Sequence, residues 1–270
     1  MENEMRIAVV YFGIVREKMK SLSSIRSRII EPNTVPGISL VSFASLNIVD
    51  SLQNPRSNEI NISLNKSDIF ELDAGYYILS KQEDDQIEDE LSLAKSRGDV
   101  YSDNCRSIRN LLHQMASLQR AWRWIQASAS GYFDAYLFAR ADLCFLDQVD
   151  LRALCQNLSS ERSILVPAWH SWGGLNDRVA LAAPEAAECY ALRFSSVLSY
   201  CRNHALHAET YLAWALAQQN CVVGELPIRA SRVRGNGHVN DENFADARLP
   251  LPRQPVSFNF SPGRPLTLNI

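Results

Sequence analysis

Ile7-Ala-Val-Val-Tyr-Phe12 is apolar at every position and stops at Gly13. A strand with one wet face alternates apolar and polar residues. A run without alternation belongs to a strand covered on both faces, the usual state of a strand in a mainly parallel sheet. Tyr132 to Leu146 repeats the pattern with one interruption, Arg140 and Asp142. Charged side chains are almost never fully buried unless paired, so this pair belongs at the mouth of a strand, where open α/β sheets bind ligands.

Helical patterns alternate with these runs. Residues 21–30 carry Leu22, Ile25 and Ile29 on one side and stop before Pro32. Residues 102–126 read as a long helix capped by Ser102, with Ile108, Leu111, Leu112, Met115, Leu118 and Trp122 at helical spacing and Gln114 and Ser117 on a polar edge. Asp147 is placed to cap a helix holding Leu151, Leu154 and Leu158. Pro184 is placed to open another, whose stripe runs from Tyr190 through Phe194, Val197 and Leu198 to Cys201. Residues 38–43, 60–64, 164–166, 179–182 and 221–223 read as strands, and 54–58 as a loop. The expected architecture is α/β, one domain with a mainly parallel mixed sheet flanked by helices. The domain is expected over 1–248, followed by a proline-rich extended tail over 249–270.

A chain of 270 residues can bury one substantial core. Its net charge of -3 gives no general attraction to polyanions, so nucleic acid is not an expected partner. The six cysteines form no Cys-x-x-Cys pair and suit reduced thiols in a core. The acidic start Met1-Glu-Asn-Glu-Met5 lacks the basic region of a signal peptide, and no segment is long enough to cross a bilayer. Cytoplasm is the expected address, compatible with peripheral docking at the inner membrane. The acidic run from Lys81 to Glu90 reads as a solvated face, either a loop or the start of a helix.

Three places carry chemistry. Arg140 and Asp142 can hold phosphate oxygens, a metal, or only each other. In Ser171-Trp-Gly-Gly-Leu-Asn-Asp177, Gly173 and Gly174 allow a sharp turn or a close approach, Trp172 offers a flat face to a sugar ring, and Asn176 and Asp177 can bond hydroxyls. That loop is expected at a sheet edge. In His207-Ala-Glu209, Glu209 falls in the first turn of a helix, with His204 or His207 near its cap. Arg16, Arg232 and Arg234 add guanidiniums suited to pyrophosphate. Dinucleotide, P-loop, Gly-x-Ser-x-Gly and His-Glu-x-x-His motifs are absent.

In order, Arg6 to Gly13, Gln114-x-x-Ser117, Tyr132 to Asp142, Trp172 to Asp177 and His207-Ala-Glu209 resemble glycosyltransferases of the GT-A type, in particular bacterial enzymes of capsule and lipopolysaccharide assembly. The resemblance spans roughly residues 5 to 235. It implies a Rossmann-like GT-A domain that moves a sugar from a nucleotide donor to a surface-glycan or lipid-linked acceptor. Arg16, Gln114, Ser117, Arg140, Asp142, Trp172, Gly173, Gly174, Asn176 and Arg234 would bind the donor. Asp177 would be the base, with Glu209 as its competitor.

The resemblance also implies a divalent metal, Mn²⁺ or Mg²⁺, on Asp142, with His207 a further candidate ligand. Arg140 stands where the motif has its first acid, and an Arg cannot ligate a metal, so this requirement is open. A catalytically silent domain that binds a glycan or protein partner is the alternative. A sugar-phosphate nucleotidyltransferase is a third, although Phe12-Gly-Ile-Val-Arg16 is a poor phosphate loop for it.

Overall fold

A computed structural model describes residues 4–54, 57–128 and 132–245, and the tail expected over 249–270 lies outside them. The strands are β1 (Met5–Gly13), β2 (Ile38–Ile48), β3 (Ser51–Asn54), β4 (Glu59–Ser63), β5 (Tyr76–Lys81), β6 (Ala135–Arg140), β7 (Leu143–Phe145), β8 (Ser163–Val166), β9 (Val179–Ala182), β10 (Val222–Glu225) and β11 (Ala230–Arg232). The helices are α1 (Lys18–Ile25), α2 (Glu88–Ser96), α3 (Arg106–Ala127), α4 (Leu151–Cys155), α5 (Pro184–Ala191), α6 (Val197–Cys201) and α7 (Ala208–Gln218).

Seven strands form one sheet in the order β10-β8-β9-β6-β1-β2-β5. β9 is antiparallel to both its neighbours, and every other pairing in this sheet is parallel. The unbroken apolar runs have the predicted cause. Along β1, Ile7, Val9 and Tyr11 enter the core on one face, while Ala8, Val10 and Phe12 enter the core on the other. α1 and α4 cover the first face; α3, α5 and α7 cover the second. The expected α/β domain with a mostly parallel mixed sheet is the observed one. Burying one such side chain contributes about 1.5–3 kcal/mol, against less than about 1 kcal/mol for a surface ion pair. The core therefore sets the architecture, and charges at its rim are available for other work.

Local expectations differ at the caps. α3 starts at Arg106, not after Ser102; Asp103 takes the capping role, its carboxylate accepting from Ser107 N at 3.2 and 3.1 Å. α4 is capped by Asp150, which accepts from Ala153 N at 3.0 Å, because Asp147 is engaged by Arg229 at 2.6 Å. The helix expected from Pro184 to Cys201 is broken into α5, a tight turn over Arg193–Ser196, and α6. The acidic run is divided between the end of β5, a short turn and the first turn of α2, where Glu88, Asp89 and Glu90 complement the helix dipole. Two small antiparallel pairs, β3 with β4 and β7 with β11, stand outside the main sheet.

Candidate active site

β1 and β6 end side by side, and Ala141 N donates to Phe12 O at 3.1 Å. Just beyond their tips a cavity of about 740 Å³ opens, with Gly13, Arg16, Gln114, Arg140, Asp142 and Trp172 among the residues lining it. Asp177, Arg178, Glu209, Arg232 and Arg234 face the same space. The carboxyl ends of parallel strands are where α/β sheets place their ligands, because connecting loops converge there. The Trp172–Asp177 loop joins β8 to β9, two interior strands, so it crowns the strand tips and does not lie at a sheet edge.

Arg140 and Asp142 form a bidentate pair, Nε to Oδ1 at 2.9 Å and Nη2 to Oδ2 at 2.7 Å. Arg16 Nε approaches Asp142 Oδ2 at 3.1 Å without making a hydrogen bond. Burial would raise the Asp142 carboxyl, but Arg140 and Arg16 override it and hold it well below the usual carboxylate range. The same neighbours exchange the favour: burial opposes the charge on Arg140, and Asp142 pushes its pKa up.

The resemblance would make Asp142 a metal ligand, but its donor set does not fit that use. Both its oxygens are taken by one guanidinium, and a second stands against Oδ2. Hard cations require several free oxygens. Among the described residues no group of three or more His, Cys, Asp or Glu is arranged to hold a metal ion. His207 is the residue before α7, with Nε2 3.4 Å from Glu209 Oε2 and its ring stacked on Tyr101.

More guanidiniums arrive from the segment that follows β10. β11 pairs with β7, Val233 N donates to Asp142 O at 2.8 Å, and a turn closes where Gly237 N donates to Arg234 O at 2.9 Å. This hairpin brings Arg232 and Arg234 beside the Arg140–Asp142 pair. Glu59, at the start of β4 and fully buried, accepts from Arg16 Nη1 at 2.6 Å and from Gly235 N at 2.8 Å, with Arg234 Nη1 at 3.5 Å. Glu242 lies 3.2 Å from Arg232 and 3.2 Å from His170.

Two further carboxyls line the same cavity. Asp177 accepts from Gln114 Nε2 at 3.0 Å, and its backbone carbonyl accepts from the Tyr190 hydroxyl at 3.0 Å. Glu209 is 4% exposed; burial and the nearby Asp177 charge push its pKa up to about 8 against the pull of Arg178 and Arg232. Burial and the Asp177 charge thus both favour the protonated form of Glu209.

Of the remaining expected donor residues, Trp172 lines the cavity, and Ser117 and Asn176 are buried. Ser117 is fully buried; its hydroxyl accepts from Gly13 N at 3.1 Å and donates to Gln114 O at 2.7 Å, fixing the tip of β1 from behind. Asn176 is buried and spends its amide on the loop, donating to Trp169 O at 2.7 Å and accepting from Arg178 N at 3.0 Å. Gly173 takes φ +79° and Gly174 lies against the first turn of α7. Trp172 is 37% exposed, stacked on His170 with centroids 4.9 Å apart, and the Arg178 guanidinium lies 5.3 Å from its ring.

Arg178, Glu59 and Glu242 were not singled out in the sequence. Arg178 adjoins Asp177 in a motif already marked, so adjacency could have found it. Glu59 and Glu242 are acids in polar stretches with no motif around them, and only the fold brings them to the arginines.

No protein-family model matches the chain, and no curated protein matches it. Among solved structures it is similar to mouse xyloside xylosyltransferase 1 in its apo form, with 10% identity, 81% of this chain and 84% of that chain covered, and a TM-score of 0.40.

Proposed function

We propose that the chain is a glycosyltransferase of the GT-A type that moves a sugar from a nucleoside-diphosphate donor to a hydroxyl of a surface-glycan or lipid-linked acceptor. The observation that carries this reading is the sharing of one cavity by a guanidinium cluster and a carboxyl pair at the carboxyl ends of a parallel sheet. Sugar transfer needs both. Negative charge grows on the departing diphosphate, and preorganised cations stabilise it without rearrangement. The attacking hydroxyl must lose a proton, which an ionised carboxylate within reach can take.

Asp177 is assigned as that base, held by Gln114 at 3.0 Å. Glu209, in its protonated form, keeps a second negative charge out of the site and can donate a hydrogen bond to a sugar oxygen. Trp172 at the rim offers its exposed face to a sugar ring. The cytoplasm, with the acceptor met at the inner membrane, is part of this proposal. No helix among the described residues is long and apolar enough to cross a membrane.

The direct test is turnover of a panel of nucleotide sugars by purified protein, followed as released nucleoside diphosphate. Wild type is expected to hydrolyse or transfer from at least one donor, and Asp177→Asn to bind that donor without turning it over. Binding without turnover by wild type would favour the second reading, a silent glycan- or partner-binding domain, which the engagement of Asp142 by Arg140 makes worth keeping. Failure to bind any donor would remove the transferase reading.

A further inference from the structure

We infer that this cavity holds a diphosphate group without a divalent cation, in the guanidiniums of Arg178, Arg232 and Arg234, and that Asp142 is a positioning residue that braces the cluster. The inference rests on the proposed glycosyl transfer only for the identity of the compound that carries the diphosphate.

Three acids beside the arginines are already committed. Asp142 is chelated by Arg140 and flanked by Arg16, Glu59 is bonded by Arg16 and Gly235, and Glu242 sits between Arg232 and His170. Four guanidiniums, those of Arg16, Arg140, Arg232 and Arg234, thus share these three carboxylates, and Arg178 brings a fifth. A divalent cation seated on Asp142 would displace Arg140 and enter surroundings that already carry excess positive charge.

The excess falls on particular side chains. Among the described residues Arg178 has no carboxylate within ion-pair distance; its Nη1 lies 2.9 Å from His170 Nδ1, and its guanidinium lies over Trp169 and Trp172. It is 2% exposed. Burial, then the neighbouring Arg232 charge, lowers its pKa to about 10, and burial with Arg232 and Arg16 does the same to Arg234. Guanidiniums crowded in this way are stabilised by an anion that several can fork at once, and a diphosphate presents oxygens on both phosphorus atoms for that purpose.

Asp142 acts through its neighbours. Its side chain fixes Arg140, while its carbonyl accepts from Val233 N at 2.8 Å, between Arg232 and Arg234. One residue therefore ties the tip of β6 to the hairpin that delivers the grip.

Isothermal titration calorimetry on the full chain tests this, with inorganic pyrophosphate, a nucleoside diphosphate and a short prenyl diphosphate, each in EDTA and in Mn²⁺. At least one is expected to bind in EDTA, with Kd changed less than about threefold by Mn²⁺. Replacing Arg178 or Arg232 by Gln is expected to weaken that binding about tenfold or more, and Arg234→Lys to retain more of it than Arg234→Gln. Asp142→Asn is expected to weaken it equally in both buffers, with thermal unfolding confirming that each variant is folded. Tighter binding of the nucleoside diphosphate than of the prenyl compound assigns the grip to the donor; the reverse assigns it to a lipid-linked acceptor, and both sustain the cation-free site. Binding seen only with Mn²⁺ overturns the inference and leaves the transferase reading intact. Absence of binding in both buffers, for all three compounds, overturns both.

Discussion

The backbone of Gly174 lies directly on the carbonyl of Glu209. Leu175 N donates to Glu209 O at 3.0 Å, and a Cβ at Gly174 would sit 2.1 Å from the Glu209 carbonyl carbon and oxygen. The loop that presents Asp177 and the helix that presents Glu209 are thus fixed to each other through a position that only glycine can occupy.

Gly174→Ala must separate loop from helix. The expected cost is about 2 kcal/mol or more of stability, with a larger proportional loss of activity because both carboxyls move. Gly173→Ala meets nothing within 4 Å, so its cost is the strain of φ +79°, about 1 kcal/mol. Urea unfolding of the two variants checks the order; equal losses would contradict the close approach.

Glu209 supplies a pH dependence of known sign. Its folded pKa, about 8, is above its ordinary value of 4.5, so the native state holds a proton that the unfolded chain has lost between those values. Its contribution is complete below about 4.5 and disappears as pH rises through about 8. Glu209→Gln is expected to flatten the fall in stability over this window. Denaturation midpoints at several pH values test it, and an unchanged slope would mean that Glu209 is ionised in the fold.

Asp142→Ala leaves the Arg140 guanidinium without its bidentate partner in a largely buried place. A destabilisation of about 3 kcal/mol is expected. The Asp142 carboxyl is held below its ordinary value of 3.8, so its contribution is present above that value and is lost as pH falls through the folded one. Acid unfolding of wild type should accordingly be steeper than that of the variant.

Trp172→Ala removes a ring that is stacked on His170 and stands by Arg178 but is more than one-third exposed. The expected result is a KM raised about fivefold with little change in melting temperature. A large fall in melting temperature with unchanged KM would make the ring a packing element.

Most of the sheet was legible because its inner strands are covered on both faces, which forces unbroken apolar runs such as Ile7–Phe12 and Ile164–Val166, whereas the half-exposed edge strand β5 was not read. β3 and β11 were not, because Ser51-Leu-Gln-Asn54 and Ala230-Ser-Arg232 are short, partly polar and held by pairing with distant segments. The caps misled for a related reason. Asp147 has the chemistry of a cap, but Arg229, far along the chain, claims its carboxylate. At the site the sequence marked Arg140, Asp142, Asp177 and Glu209, all of which face one cavity, whereas Ser117 and Asn176 were marked by type and prove to be buried supports. Polarity is visible in a sequence; the partner that consumes it is not.

The reversal of β9 has a consequence for change over time. Because β8 ascends to the cavity rim and β9 descends from it as its immediate neighbour, residues 167–178 leave and return at adjacent points of one sheet. Lengthening such a loop costs little closure entropy, since that cost grows only with the logarithm of length. It also leaves every strand register untouched. The segment bearing Trp172 and Asp177 is therefore where insertions can recut the shape of the pocket while the scaffold beneath stays the same, provided Gly174 keeps its seat on Glu209.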